Sequence, residues 1–276
     1  MNPRLTFTGL VGEEHVGKRI ISQLKTNFKG DAILITVSYA LKERPHFAAE
    51  KFDPDIEHSI AGMLGGTTLK DMIYSHGERM AGRVPDFAIP TYCLPHKDDP
   101  TQNAEGNSVM NLYLEVPYTI YKSGGPKMWD DKEFKRDVAE RITDVFEANS
   151  PGFRENVLDY WITTPLDHCR SNPNYLRGCW AGGSWSAPQT WFANRPGAEG
   201  FDKGGIVTPI KNLYGSGSVG PSFSGGGNGY RAACHITEEL GMRNQPWWNH
   251  RPMEYYLKKY VEKTYVPLKL GSVLDK

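Results

Sequence analysis

Apolar and polar positions alternate along this chain with two periods, and the period identifies the elements. In VGEEHVGKRIISQLKTNF, Val16, Ile20, Leu24 and Phe28 recur every four residues with charges between them, which predicts an amphipathic helix over residues 12–28. The β-branched run DAILITVSYAL that follows predicts a central strand. Residues 85–100, PDFAIPTYCLPHKDDP, hold four prolines, so neither a long helix nor a central strand is expected there, only extended chain turning at DDP. SVMNLYLEVPY alternates as a strand ending at Pro117. MWDDKEFKRDVAERITDVFEANSPG has an acidic first turn and a stripe of Phe134, Val138, Ile142, Val145 and Phe146, the pattern of a core-facing helix stopped between Asn149 and Gly152.

NVLDYWITTPLDH reads as a strand entering a proline-defined turn, and GIVTPIKNLYGSGS as a strand with a polar end. GYRAACHITEELGM reads as a helix closed by Gly241. Residues 178–205, rich in Gly, Trp, Ser and Asn, lack periodicity and suggest a structured loop region. The tail NQPWWNHRPMEYYLKKYVEKTYVPLKL joins rings to cations and suggests a helix over 252–263; a partner-protein contact is the expected role, a membrane surface the alternative.

Composition narrows the function classes. Hydrophobic residues at 39% and charged residues at 23% are ordinary for a folded protein, whereas 29 glycines and 19 prolines imply many turns and long connections. Lys plus Arg equals Asp plus Glu at 32 each, so no global field draws the chain to nucleic acid. The four cysteines form no CxxC pair and read as reduced thiols of a cytoplasmic protein, and neither they nor the eight histidines show a zinc spacing. The apolar run AILITVSYAL is only ten residues long, too short to span a bilayer.

The stretch LYGSGSVGPSFSGGGNGY contains Gly215, Gly217 and Gly220 at GxGxxG spacing. A complete dinucleotide fingerprint would continue into a helix and a second parallel strand ending in an acidic residue. Here Pro221 to Ser224 intervene and RNQPWWNH follows the helix, so a doubly wound domain does not fit. What remains is a strand end, two glycine clusters and a helix N-terminus, whose backbone amides suit a phosphate or ribityl chain. A tight turn with a close strand–helix contact explains the same glycines equally well.

Beyond the residues themselves, TPIKNLYGSGSVGPSFSGGGNGYRAA (208–233) resembles the C-terminal segment of the phytoene-desaturase-like flavoproteins, the FAD-dependent isoprenoid dehydrogenases and isomerases. TTPLDHCRSNPNYLRGCWAGGSWSAPQTWFANRPG (163–197) and DPTQNAEGNSVMNLYLEVPY (99–118) are similar to the same family, the resemblance covering roughly residues 5–243. It implies an α+β or mixed α/β fold: a substrate-binding domain over 1–205 with a mixed sheet and flanking helices, the flavin-side C-terminal part of an FAD-binding domain over 206–243, and an aromatic, basic tail over 244–276. The family's opening strand, GxGxxG, helix and acidic residue are absent here. A natural split is therefore expected, with a second polypeptide carrying the nucleotide-binding half.

The resemblance further implies that Gly217, Ser218, Gly226, Gly227, Asn228 and Gly229 line the flavin of FAD. It places Trp185, Gln189, Trp191 and Arg195 toward the substrate, where an aromatic wall suits a hydrophobic small molecule of isoprenoid or terpene type; core packing is the plain alternative for each Trp. No catalytic side chain is singled out: His168 and Cys169 are neighbours in sequence, and such neighbours in a strand do not aim at one atom. The activity implied is dehydrogenation by hydride transfer to the flavin, ending in desaturation or allylic hydroxylation, with two-chain monoterpene dehydrogenases as the member class indicated. An isomerase, and a non-catalytic subunit that stabilises a flavoprotein partner, are the competing readings.

Overall fold

Among the described residues five strands carry the fold, every pairing antiparallel: β1 (Leu34–Leu41), β2 (Ala61–Met63), β3 (Thr91–Cys93), β4 (Ser108–Glu115) and β5 (Val157–Thr163), in the order β2-β3-β4-β1-β5. The structure, a computed structural model, describes residues 2–26, 33–86, 88–95, 100–180, 206–216, 227–248, 258 and 262. The described α-helices are α1 (Pro3–Leu5), α2 (Lys18–Thr26), α3 (Leu69–Met80), α4 (Lys132–Asn149), α5 (Phe153–Asn156), α6 (Pro165–Ser171) and α7 (Gly227–Glu239), with short 3-10 and π turns between elements. The mixed α/β class expected from the sequence is the class observed, but the sheet is antiparallel rather than mixed, each of its described ladders joining strands of opposite direction.

The two long strands behave as their alternation requires. Ile35, Val37, Tyr39 and Leu41 of β1 and Met110, Leu112 and Leu114 of β4 are buried and meet Val138, Ile142 and Phe146 of α4. Phe134 and Val145 flank that stripe, partly buried, so the helix turns the expected face inward. Asp131 starts α4 by accepting the Phe134 amide at 2.8 Å, a cap worth about 1 kcal/mol. Before it, the buried Trp129 donates from Nε1 to the Pro117 and Tyr118 carbonyls at 3.2 and 3.1 Å, anchoring the β4–α4 connection.

Several expectations change in detail. The first helix does not run from residue 12, because Gly12 and Gly17 stand at φ 98° and 93° and break the turn, leaving α2 to begin at Lys18. Its buried Ile20 and Leu24 cluster with Phe7, Val16, Ile210 and Leu213. The Pro-rich stretch does supply an interior strand: β3 lies between β2 and β4 because it is three residues long and its prolines, Pro90 and Pro95, fall just outside it.

The proline-defined turn after β5 is instead helix α6, started by Thr164, whose Oγ1 accepts the Asp167 amide at 3.2 Å while the Asp167 carboxylate accepts the Thr164 amide at 2.9 Å. Within 206–216 the expected strand is a reversal with one isolated bridge, Val207–Tyr214, closed also by the Gly215 amide donating to the Ile206 carbonyl at 2.8 Å and the Thr208 hydroxyl donating to the Leu213 carbonyl at 2.6 Å, with Pro209 and Asn212 (φ 64°) at its bend. The expected tail helix over 252–263 lies outside the described residues apart from positions 258 and 262. Among the described residues no helix is long and apolar enough to cross a membrane.

Candidate functional site: the second face of the sheet

Side chains of directly paired residues in an antiparallel ladder share a face, so the register alone identifies what lies opposite α4. One row runs Met63, Thr91, Tyr113, Thr36, Thr163; the next runs Ala61, Cys93, Asn111, Ser38, Trp161. Unlike the core rows, these positions are mostly half-buried to exposed, and Trp161 on the edge strand is 72% exposed. The wall therefore has hydroxyls and an amide at its centre and an indole at its rim.

One hydrogen bond organises the centre: the Ser38 hydroxyl on β1 donates to Asn111 Oδ1 on β4 at 2.6 Å. Burial dominates and pushes the Tyr113 phenol up, the neighbouring Cys93 thiol adding to that effect and the nearby Asn111 side chain opposing it. Burial likewise pushes the Cys93 thiol up, so it is not an activated nucleophile. Nothing in the sequence reading singled out Ser38, Asn111, Tyr113 or Cys93, although the period-2 placement of Thr36, Ser38, Asn111 and Tyr113 on strands that otherwise bury apolar residues was the available signal.

Of the proposed flavin-side residues, Gly217, Ser218 and Gly226 lie outside the described residues, as do the proposed substrate-side residues Trp185, Gln189, Trp191 and Arg195. Gly227, Asn228 and Gly229 open α7. Among the described residues, a side chain added at Gly229 would meet Ser216 Oγ, at 3.9 Å, so the two flanks of the glycine-rich stretch adjoin. The reversal over 206–216 is tied to the far end of α7, where the Tyr214 phenol donates to Glu239 and Glu239 pairs with His235 at 3.0 Å.

His168 and Cys169 sit on α6 rather than in a strand. Burial pushes the His168 imidazole down and its ring meets Tyr175, whereas Cys169 neighbours Tyr118. The two do not converge. A separate cleft of about 480 Å³ is lined by Phe47, Phe52, Met63, Tyr92 and Ala148 among others, but its Ser59 and Tyr92 hydroxyls are bonded to each other at 2.7 Å and no titratable cluster converges on it. Among the described residues no group of His, Cys, Asp and Glu could hold a metal ion.

No family model matches the chain. It is similar to pyridine nucleotide-disulfide oxidoreductase domain-containing protein 2 of mouse (34% identical over 249 residues) and of rat (29% over 249 residues), in each case over 85% of this chain and 40% of the relative. It is also 25% identical over 262 residues to a limonene dehydrogenase subunit of Castellaniella defragrans, over 90% of this chain and 44% of that protein. The chain thus spans less than half the length of these curated relatives, two named for an oxidoreductase domain and one as a dehydrogenase subunit.

Proposed function

We propose that this chain is the substrate-side part of a flavin-dependent oxidoreductase that dehydrogenates an apolar isoprenoid or terpene, with the nucleotide-binding half of FAD held by a second polypeptide carrying the GxGxxG opening. The observation that carries the reading is the asymmetry of the sheet: one face is sealed by α4, and the other is a half-buried wall whose central side chains are polar but uncharged. Similarity to two proteins named for oxidoreductase domains and to one named as a dehydrogenase subunit supports it.

When bound, the flavin supplies a hydride acceptor in its isoalloxazine ring. This chain's part is to bind, orient and exclude water. The backbone at Gly229, which stands beside Ser216, is assigned to the close approach of such a group, and Gly217, Ser218, Gly226, Gly227 and Asn228 are assigned to it as well. Trp185, Gln189, Trp191 and Arg195 are assigned to the substrate side together with Thr36, Ser38, Asn111 and Tyr113. Holding an allylic carbon at the right distance in a dry site is how the chain lowers the barrier to hydride loss. The three-part division at 205 and 243 follows from the same reading, and the soluble assembly it describes works in the cytoplasm with the aromatic tail against its partner.

Affinity purification of the tagged chain from its native cells tests this. A stoichiometric second chain and flavin absorbance are expected, with anaerobic addition of limonene bleaching the flavin. Recovery of the chain without flavin and without a second polypeptide overturns the proposal, and binding without bleaching replaces dehydrogenation by a non-redox or non-catalytic role.

A further inference from the structure

The described sheet ends at β5, and that end is open. None of the seven residues VLDYWIT is buried, although they are as rich in strand-forming apolar types as the buried β1 beside them. The ladder fixes which backbone groups face outward. Ile33 accepts the Val116 amide at 3.1 Å and Lys42 donates to the Asn156 carbonyl at 2.9 Å, so odd-numbered residues of β1 bond β4 and even-numbered ones bond β5. Thr36, Ser38 and Ala40 therefore take up Thr163, Trp161 and Asp159, which leaves the N–H and C=O groups of Tyr160 and Ile162 pointing away from the sheet. The Asp159 carboxylate accepts the Tyr160 amide at 2.8 Å. Among the described residues nothing partners the Tyr160 carbonyl or either backbone group of Ile162, and Leu158 and Trp161 beside them are exposed. Such an edge is a template for another strand. Lipid cannot fill it, because hydrocarbon offers backbone groups no partner. Charge narrows the occupant further. Asp159 is exposed and forms no ion pair among the described residues, and β5 holds no Lys or Arg. Two copies meeting edge to edge would bring two such carboxylates and no cation into one short ladder, the arrangement that keeps edge strands from pairing with themselves. A strand of a different chain that sets a Lys or Arg across from Asp159 meets no such obstacle.

We propose that the outer edge of β5 receives one strand of a partner polypeptide, apolar in alternation and carrying a Lys or Arg opposite Asp159, which extends the sheet and lays its side chains against Leu158 and Trp161. The partner is the polypeptide that supplies the more than half of the relatives' length this chain does not match. This rests on the reading of a two-chain enzyme and adds the contact through which the chains join.

The test is hydrogen exchange of the full chain, alone and in the complex purified with its second polypeptide. The Ile162 amide is expected to exchange freely in the chain alone, where β1 protects Trp161 and Thr163, and to slow by at least about tenfold in the complex. Ile162→Pro removes that outward N–H without touching the β1 ladder, and Leu158→Lys sets a charge on the edge. Each is expected to weaken binding of the second chain by about tenfold, the worth of one well-made hydrogen bond. Asp159→Asn, which keeps the bond to the Tyr160 amide, weakens it by a smaller factor and flattens its salt dependence. Thermal unfolding of each variant alone separates lost docking from lost fold, and Leu158→Lys carries the test should Ile162→Pro unfold. A complex in which Ile162 exchanges freely and both variants bind as wild type does overturns the β5 assignment and leaves the two-chain enzyme standing. A dimer of the chain alone that Leu158→Lys dissolves assigns the edge to a second copy and overturns the partner strand. Recovery of the chain with no second polypeptide overturns both.

Discussion

Tyr39 on the central strand and Thr143 on α4 are joined by a 2.6 Å hydrogen bond between their hydroxyls, deep in the layer where sheet and helix meet. Thr143 commits its own proton to the Ala139 carbonyl at 2.7 Å, so Tyr39 must be the donor. Tyr39→Phe therefore removes the only proton aimed at Thr143 Oγ1 within this pair without opening a cavity, and is expected to cost about 1–2 kcal/mol in urea unfolding. Burial, which outweighs the Thr143 bond, pushes the Tyr39 phenol up to about 12 from 10. A raised folded-state value means a contribution fully present below pH ~10 and lost as pH rises toward ~12. Wild-type stability should fall across that alkaline window more steeply than that of Tyr39→Phe; parallel curves would show that Tyr39 is not held protonated by the core.

Glu50 gives the opposite pH dependence. Burial alone would raise its carboxyl, but the Phe47 amide at 2.9 Å, the Arg44 guanidinium at 2.9 Å and His46 at 3.2 Å together hold it below the usual carboxylate range. A depressed folded-state value contributes stability above the unfolded value, near ~4, that is lost as pH falls through the folded one. Glu50→Gln is expected to melt below wild type at neutral pH and to converge with it in acid below pH ~3. Melting temperatures measured from neutral to acid pH check this; a constant offset across the range would assign the effect to packing.

The elements that sequence made legible are those whose information is local. The period-4 stripe of α4 and the period-2 alternation of β1 and β4 appear as expected because each buries one face against a single layer. The pairing Ser38–Asn111 spans 73 positions, and only the β1–β4 register brings the two polar positions together, so no window of sequence contains the site. Proline content misjudged β3 because the restriction applies to the residues inside a ladder, and here they lie outside it. Helix α3 had a readable start, Thr68 and Asp71 capping each other, but its apolar stripe does not mark a core face.

That stripe, Leu69, Ile73 and Met80, points outward, and no residue of α3 is buried. Among the described residues Ile73→Glu removes no buried contact, so its unfolding free energy is expected to stay within about 0.5 kcal/mol of wild type, whereas an inward-facing Ile→Glu would cost several times more. Urea unfolding of the isolated chain decides between the two; a large loss would mean that α3 packs its apolar side inward.

Gly178 is fixed by space as well as by conformation. It stands at φ 72°, and a side chain built there would lie 2.3 Å from the Pro165 carbonyl oxygen at the start of α6. The obstacle is backbone already committed to a capped helix, so it cannot rotate away as a flexible side chain would. The next residue, Cys179, is fully buried and bridges to Ile33 beside β1, which transmits any displacement of the turn to the sheet. Gly178→Ala is therefore expected to cost roughly 2 kcal/mol or more, combining the left-handed strain with the clash. By contrast, Gly152→Ala, at φ 87° but with open space around it, should cost about 1 kcal/mol, the strain alone. Paired denaturation curves of the two variants check the difference; equal losses would mean that the turn at Gly178 relaxes away from Pro165.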